Sequence, residues 1–322
     1  MLHPKFTLTA AVLTLWTTSV RADIESIRAK AQALDKRAQQ IMELSEGLKK
    51  QVEATGQQVQ EKVEKIKALR ENLDQLTDEA KRRAELLKSG EEAKQLEGLK
   101  GAEGLGDEAT LLAAAAAKGS KHTKVRRKAI DLAVSMGSEG YAALAFCFES
   151  LAAEDRTYAV EQLAKGGAAN LVILVAAARD ADLSTRAALL KAGAAIGGEQ
   201  GLLLIVAASK DLDSKLAEDF AKAAGKLQGD DGLILLYFQA KNADSTHKIA
   251  ALRVAVERKT DGLVVLAPAL KSEDPKVRTE LVRAARRIGG DDAQFIMDHA
   301  LKDPNEALRK AAEEGLKEPK SR

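Results

Sequence analysis

Residues 263–288 read LVVLAPALKSEDPKVRTELVRAARRI, and this stretch decides the fold. An apolar run continues into helix-forming residues and stops at the turn Asp274-Pro275. Beyond the turn, Leu281, Val282 and Ala285 recur at the three- and four-residue spacing of one helix face. The turn leads directly into this second segment and leaves no room for a strand-type crossover. The stretch therefore predicts a helical hairpin, with a strand-and-helix repeat as the alternative.

The same unit recurs at intervals of 30 or 31 residues. Its apolar segments begin at Leu171, Leu202, Leu233 and Leu263, each preceded by Gly or Asn. A second series keeps the same register in the second helices: Arg126, Arg156, Arg186, Ala217, Lys248, Arg278 and Arg309. Tandem hairpins that bury their apolar faces against their neighbours are typical of an α-solenoid. We expect an all-α fold, with about seven hairpins over residues 109–322.

Two segments near the C-terminus carry a more specific signature. Residues 263–288 and 295–316 each combine an apolar first helix, an Asp-Pro turn, and a Val-Arg or Leu-Arg pair opening an Ala-rich second helix. In this they resemble HEAT repeats of the short bacterial kind also found in phycobilin lyases; Ala217 and Lys248 depart from the pattern. The resemblance implies a right-handed superhelix whose second helices line the concave face, and a scaffold that binds other proteins. A lyase-like enzyme is the alternative it leaves open.

One basic series is interpreted as structural. In each second helix, the apolar positions centre on the same side as the first-position Arg, so that side chain points into the stack. We expect it to pair with the acidic turn of its own or a neighbouring repeat. The members of this predicted ladder are Arg126, Arg156, Arg186, Lys248, Arg278 and Arg309.

A second basic series lies five positions later, about 140° around the helix and therefore on the solvent side. It is basic in four consecutive repeats and acidic in the flanking ones. With two further arginines its members are Lys191, Lys222, Arg253, Arg283, Arg286 and Arg287. We hypothesise that this basic column binds an acidic protein or an anionic polymer of the cell envelope. The alternative is a solvated face neutralised by Asp219, Glu257 and Glu280.

Residues 23–88 predict a coiled coil. Apolar or small residues recur every three or four positions without an intervening proline, and such a stripe needs a second helix to cover it. A continuous helix could pair with another chain as a homodimer, or the chain could turn back near Thr55-Gly56 as a hairpin. Residues 89–108 contain five glycines and predict a flexible linker.

Residues 1–22 predict a signal peptide. A basic residue, Lys5, precedes an uncharged and mostly apolar stretch, and small side chains at Val20 and Ala22 suit cleavage after Ala22. An N-terminal membrane anchor is the alternative, although the stretch is short for a spanning helix. We expect an exported protein, periplasmic or secreted, made of a coiled coil, a linker and a solenoid.

Composition argues against several function classes. The net charge is only +2, from 50 basic and 48 acidic residues. The basic cluster at residues 118–128 has no interleaved aromatic side chain, so nucleic acid is not the expected partner. The four histidines are isolated, Cys147 is the lone cysteine, and no phosphate-binding loop follows a strand. We expect no enzyme, no cofactor and no metal; a structural envelope spacer is the alternative to a binding scaffold.

Overall fold

The computed structural model describes residues 6–71, 74, 76–178, 181–209 and 213–317. Within these residues the chain is helical and contains no strand, which confirms the all-α fold. The helices are α1 (Phe6–Glu71), α2 (Asp78–Lys88), α3 (Glu92–Leu99), α4 (Asp107–Gly119), α5 (Thr123–Ser135), α6 (Ser138–Cys147), α7 (Ala153–Lys165), α8 (Leu171–Ala177), α9 (Leu183–Ile196), α10 (Gly198–Ala208), α11 (Ala217–Lys226), α12 (Gly229–Asn242), α13 (Ser245–Ala255), α14 (Leu263–Leu266), α15 (Pro275–Ile288), α16 (Gly290–Ala300) and α17 (Glu306–Lys317).

From α2 onward, A helices (even-numbered) alternate with B helices (odd-numbered). The helices α4 to α17 correspond, pair by pair, to the seven predicted repeats. The chain forms two compact units. In the unit of residues 44–196 and 203–211, the B helices α3, α5, α7 and α9 pack in series. In the unit of residues 1–43, 197–202 and 212–322, α11, α13, α15 and α17 do the same. Serial B-helix packing is the arrangement of an α-solenoid.

The glycine before an apolar segment permits a close helix crossing. A Cβ added at Gly262 would lie 1.9 Å from the carbonyl oxygen of Ala255, and one added at Gly232 would lie 2.4 Å from that of Ala224. No side chain fits at these distances. At the corresponding place in an earlier repeat, the Asn170 amide instead donates a hydrogen bond to the carbonyl of Leu163 at 2.7 Å. These residues are therefore selected by packing between a B helix and the next A helix.

Ladder arginines join successive repeats. Arg126 Nε contacts Asp155 Oδ2 at 2.5 Å, and the Asp155 side chain is fully buried. Arg278 Nε lies 3.3 Å from Asp303 Oδ2, and Arg156 pairs with the carboxylate of the next repeat in the same way. That partner is Asp182. In each case the acid stands in or beside the turn that opens the next B helix.

The same arginines also satisfy backbone carbonyls of their own repeat. Arg278 donates to the carbonyls of Ser272 and Glu273 at 3.2 and 3.3 Å. Arg309 donates to those of Asp303 and Pro304 at 2.7 and 2.9 Å. Because the last carbonyls of a helix have no partner within it, a guanidinium is well suited to cover them. The corresponding contacts in the other repeats are Arg126 with Ser120 and Lys121, Arg156 with Leu151, and Arg186 with Ala181.

Helix α1 bears on the two alternatives that the heptad pattern left open. It continues through Gly56, so the chain does not turn back near Thr55-Gly56 as the hairpin alternative required, and pairing with another chain stays a prediction. The stripe is also covered within the chain: Val63 and Ile66 are buried with Leu111 of α4 and Ala142 of α6. The helix ends at Glu71 instead of continuing to residue 88. The part of the apolar stripe that contains Val63 and Ile66 is therefore buried against other helices of the same chain.

Residues 89–108 were predicted to be a flexible linker, and this is wrong. They contain α3, which packs against α2 and α5, followed by a 3-10 turn at Ala102–Leu105. A Cβ at Gly98 would lie 3.0 Å from the carbonyl oxygen of Arg83 and 3.2 Å from the Leu86 side chain. The glycine is thus a packing residue, and α2 with α3 forms an additional hairpin ahead of the predicted seven.

The structure does not describe the side chains of residues 1–22, and the signal peptide predicted there stays a prediction. Among the described residues, no helix combines the length and apolar character needed to cross a membrane.

We predict that Arg126→Gln lowers the free energy of unfolding by about 3 kcal/mol, because it leaves the buried Asp155 carboxylate without its cation. The double variant Arg126→Met/Asp155→Leu should recover most of the loss, since it removes both charges together. Urea unfolding followed by circular dichroism measures both. A loss below about 1 kcal/mol for the single variant would contradict the assignment.

We predict that Asp182 makes the fold acid-sensitive. Burial opposes its ionisation, but hydrogen bonds from Thr185, Ser184 and Arg156 outweigh burial and hold the pKa of this carboxyl well below its ordinary value. A lowered folded-state pKa contributes stability at neutral pH that is lost as the pH falls below about 4. Asp182→Asn should therefore flatten the decline of the urea midpoint in that range.

Asp182→Asn keeps a side-chain oxygen that can accept from the Thr185 N–H at the start of α9. The difference between the variant and the original chain should therefore vanish toward low pH. Equal slopes for the two proteins below about pH 4 would contradict the role of Asp182.

Candidate binding surface

The basic column lies on B helices, and its side chains are exposed. Lys222 belongs to α11, Arg253 to α13 and Arg283 to α15, all in one compact unit. The side chains of Arg253 and Arg283 are 52% and 63% exposed. Arg286 and Arg287 are exposed in the last turn of α15, and Lys191 is exposed on α9 of the other unit.

Two carboxylates lie between the three cations on α11, α13 and α15. Glu218 Oε2 is 3.4 Å from Lys222 Nζ, and its Oε1 is 3.5 Å from Arg253 Nη1. Glu280 Oε1 is 3.4 Å from Arg253 Nε, and its Oε2 is 3.6 Å from Arg283 Nη1. The serial packing of α11, α13 and α15 thus produces a row in which positive and negative groups alternate.

Glu280 is the organising member of this row. Its side chain is only 9% exposed, although both arginines that it contacts are largely exposed. One carboxylate oxygen faces each arginine, so a single buried acid positions cations of two neighbouring helices. A buried carboxylate requires such compensation.

The arginines keep their hydrogen-bonding capacity. Contacts of 3.4 to 3.6 Å are ion pairs rather than good hydrogen bonds. Neither Arg253 nor Arg283 makes a side-chain hydrogen bond within the described part of the chain. An Arg carries five N–H donors in a fixed planar fork that matches a carboxylate. The surface can therefore offer two such forks on adjacent helices.

The basic column is partly neutralised, so its charge lies between that of a free basic stripe and that of a fully neutralised solvated face. Of the three acids expected to neutralise the column, Glu280 contacts it, whereas Asp219 and Glu257 form no ion pair with it in the described residues. The second neutralising acid is Glu218, which was not among the predicted ones. Its position four residues before Lys222 is the spacing of a favourable helical ion pair and could have identified it. Three cations against two carboxylates leave a small positive excess, to which the exposed Arg287 adds.

The other basic cluster, residues 118–128, is largely engaged inside its own unit. Arg126 holds Asp155, and the Arg127 guanidinium lies 4.8 Å from the centre of the Tyr158 ring. Lys124 lies 3.4 Å from a Glu92 oxygen. These contacts stabilise the packing of α5 against its neighbours.

The residues that the structure covers show neither a cluster of metal ligands nor an activated thiol. They contain no group of three or more His, Cys, Asp or Glu side chains that could hold a metal ion. Burial raises the pKa of the Cys147 thiol to about 12, which disfavours the reactive thiolate.

Comparison with known proteins supports the repeat assignment. Residues 233–317 match the family model described as HEAT repeats, and this range includes most of α12, all of α13 to α17 and both C-terminal segments quoted above. No curated protein matches the chain. The structure of human deoxyhypusine hydroxylase in complex with glycerol matches with 15% identity and a TM-score of 0.28, over 67% of this chain and 96% of that chain. At that score the likeness carries no argument about fold or function.

Proposed function

We propose that this chain is an exported, non-enzymatic scaffold that binds an acidic protein segment through its B-helix surface. The contact residues are Lys222, Arg253 and Arg283, with Arg286 and Arg287 at the edge. One observation carries the proposal: Arg253 and Arg283, on adjacent helices, share the buried carboxylate of Glu280 while their forks stay exposed.

This geometry supports binding because the cations are already positioned. An exposed arginine normally loses side-chain freedom when it binds, at a cost of about 0.5–1.5 kcal/mol. Contact with Glu280 restrains both arginines before a partner arrives. A partner carboxylate can then form a bidentate, charge-assisted contact with either fork. The match to HEAT repeats agrees with this use, because such repeats commonly present surfaces to other proteins.

An anionic envelope polymer would be attracted to the same excess charge. The alternating row favours a protein, because Glu218 and Glu280 repel a uniformly charged polymer while a peptide can place its acids opposite the arginines alone. The proposal therefore commits to an acidic segment of a folded or unfolded protein.

Export rests on residues 1–22 and has a direct test. The chain recovered from its own cell envelope should begin at Asp23 and should lack tryptophan fluorescence, because Trp16 is the sole tryptophan of the sequence. Edman sequencing and an emission spectrum check both points. An intact N-terminus with tryptophan emission would contradict cleavage and favour the membrane anchor.

We predict that the triple variant Lys222→Glu/Arg253→Glu/Arg283→Glu loses the partner that the original chain retains in a pull-down from envelope extract. Charge reversal replaces attraction with repulsion at each contact, so recovery should fall at least tenfold. A matched control reverses Lys215, Lys276 and Lys302, which are exposed in or beside turns of the same unit. The control should recover the partner normally, and quantitative mass spectrometry compares the three proteins.

Glu218→Gln supplies an opposite test. It removes one exposed negative charge from the row, leaves Glu280 in contact with Arg253 and Arg283, and should strengthen retention of the acidic partner at low salt. Protease treatment of the extract should abolish recovery, whereas persistence after protease would identify a polymer instead. Unchanged recovery by the triple variant would leave the chain as a structural spacer whose basic column is only a solvated face.

A further inference from the structure

An apolar cavity of about 530 Å³ lies between the A helices α2 and α4, within the unit that contains residues 44–196. Its walls come mostly from small and aliphatic side chains, with one aromatic ring from α6. The residues that matter here are Ala84 and Leu87 of α2, Leu111 and Ala115 of α4, and Phe146. The volume is within the range of small-molecule sites, about 300–1,000 Å³.

The cavity results from the alanine run in α4. Residues 111–119 read LLAAAAAKG, so the face of α4 turned toward α2 carries methyl groups where larger side chains would fill the space. Near Leu111 the space is backed by α1, whose Val63 and Ile66 pack into the same apolar cluster. Helix α1 therefore covers the end of this A-helix surface near Leu111.

The two ends of the cavity differ in charge. Glu108, at the start of α4, accepts hydrogen bonds from the Thr77 backbone N–H and hydroxyl, both at 2.7 Å. Lys118 lies ten residues later, about 15 Å along the helix. Lys88, the last residue of α2, lines the same space. The acid is thus already bound by the protein, whereas the opposite end is basic.

Lys118 is the cation that the protein leaves uncompensated there. Its Nζ lies 5.8 Å from the centre of the Phe146 ring, and no carboxylate of the described residues lies within ion-pair distance. Lys88, by contrast, contacts Glu85 at 2.5 Å. A lysine beside an apolar surface and without a counter-ion is suited to an anionic ligand group.

Polar groups of the cavity wall need no ligand. Gln95 donates to the carbonyls of Leu87 and Ser89 at 2.9 and 2.6 Å and accepts from the Ser120 hydroxyl at 2.7 Å. The interior therefore contains no unsatisfied hydrogen-bonding group that an apolar ligand would leave unpaired. Lys118 is the group that could bind a polar end of the ligand.

We propose that this cavity binds a fatty acid, with the alkyl chain between α2 and α4 and the carboxylate at Lys118. The volume, lining and charge agree: an apolar space of about 530 Å³, lined along α4 from Glu108 to Lys118 and basic at the Lys118 end, fits a single acyl chain with one anionic head. The site lies on A helices and is independent of the B-helix surface proposed above for a protein partner.

Isothermal titration calorimetry of the full chain with decanoate tests the proposal. We expect saturable binding at one site, and about tenfold weaker binding by Lys118→Gln, because a charge-assisted contact is lost. Decanol should bind both proteins equally, since it lacks the charge. Lys121→Gln, an exposed lysine outside the cavity, is the matched control and should bind decanoate as the original chain does.

Filling the cavity provides a second, charge-independent arm. Ala115→Trp places a ring into the space and should abolish binding of both decanoate and decanol; Ala84→Leu serves if the first variant melts at a lower temperature. Three results would overturn the proposal: no saturable binding of decanoate, equal binding of decyltrimethylammonium, or unchanged affinity in both the Lys118 and the cavity-filling variants.

Discussion

The contact between a ladder arginine and the acid of the following repeat is the interaction on which the stacking of repeats depends. Aromatic side chains make up only 3% of this chain, and alanine faces have little relief. Smooth apolar faces bury area in several registers with similar energy, because hydrophobic attraction is non-directional. A guanidinium that must reach both the carbonyls of its own turn and a carboxylate one repeat away permits one register. Arg126, with buried Asp155 on one side and the Ser120 carbonyl on the other, shows this constraint most clearly.

Repeats that lack the arginine are held by hydrogen bonds of other groups. Where Ala217 replaces it, the buried Gln239 amide donates to the Ala217 carbonyl at 3.1 Å. Where Lys248 replaces it, a Ser245 hydroxyl donates to Asp274 and contributes to the lowered pKa of that carboxyl. Arg258 covers the carbonyls of Leu227 and Gly229 from the next repeat. Hydrogen bonds between helices and turns are thus present in these repeats too, although at other positions and from other donors.

The hairpins could be predicted from sequence because each is determined locally. The Asp274-Pro275 turn and the spacing from Leu281 to Ala285 lie within one repeat, and helix periodicity is readable over such a span. The path of residues 23–108, by contrast, depends on contacts with residues that are distant in sequence. An apolar stripe indicates that a helix must be covered, but not by what, and the cover for Val63 and Ile66 lies about 45 to 80 residues away in sequence, in α4 and α6.

The prediction of a flexible linker at residues 89–108 was wrong for a related reason. The same residue type, glycine, allows a flexible linker and a close helix crossing, and only the neighbouring helix decides between them. Gly98 has Arg83 and Leu86 against it, which no pattern within residues 89–108 reveals. The basic column lies on B helices, as the repeat register predicts. A series with one position per repeat could not identify Glu218, because Glu218 pairs with Lys222 four residues along the same helix.

The alternation of charge on the B-helix surface constrains what can bind there. With three cations and two carboxylates in one row, attraction at long range is weak and falls further within a Debye length of about 8 Å at physiological salt. Affinity must then come from contacts made at close range, where a partner acid opposite Glu280 is repelled and one opposite Arg253 or Arg283 is held. If the proposed function holds, such a surface selects partners by the spacing of their acids more than by their total charge. The buried position of Glu280 matters for this selection, because a freely moving carboxylate could turn away and a fixed one cannot.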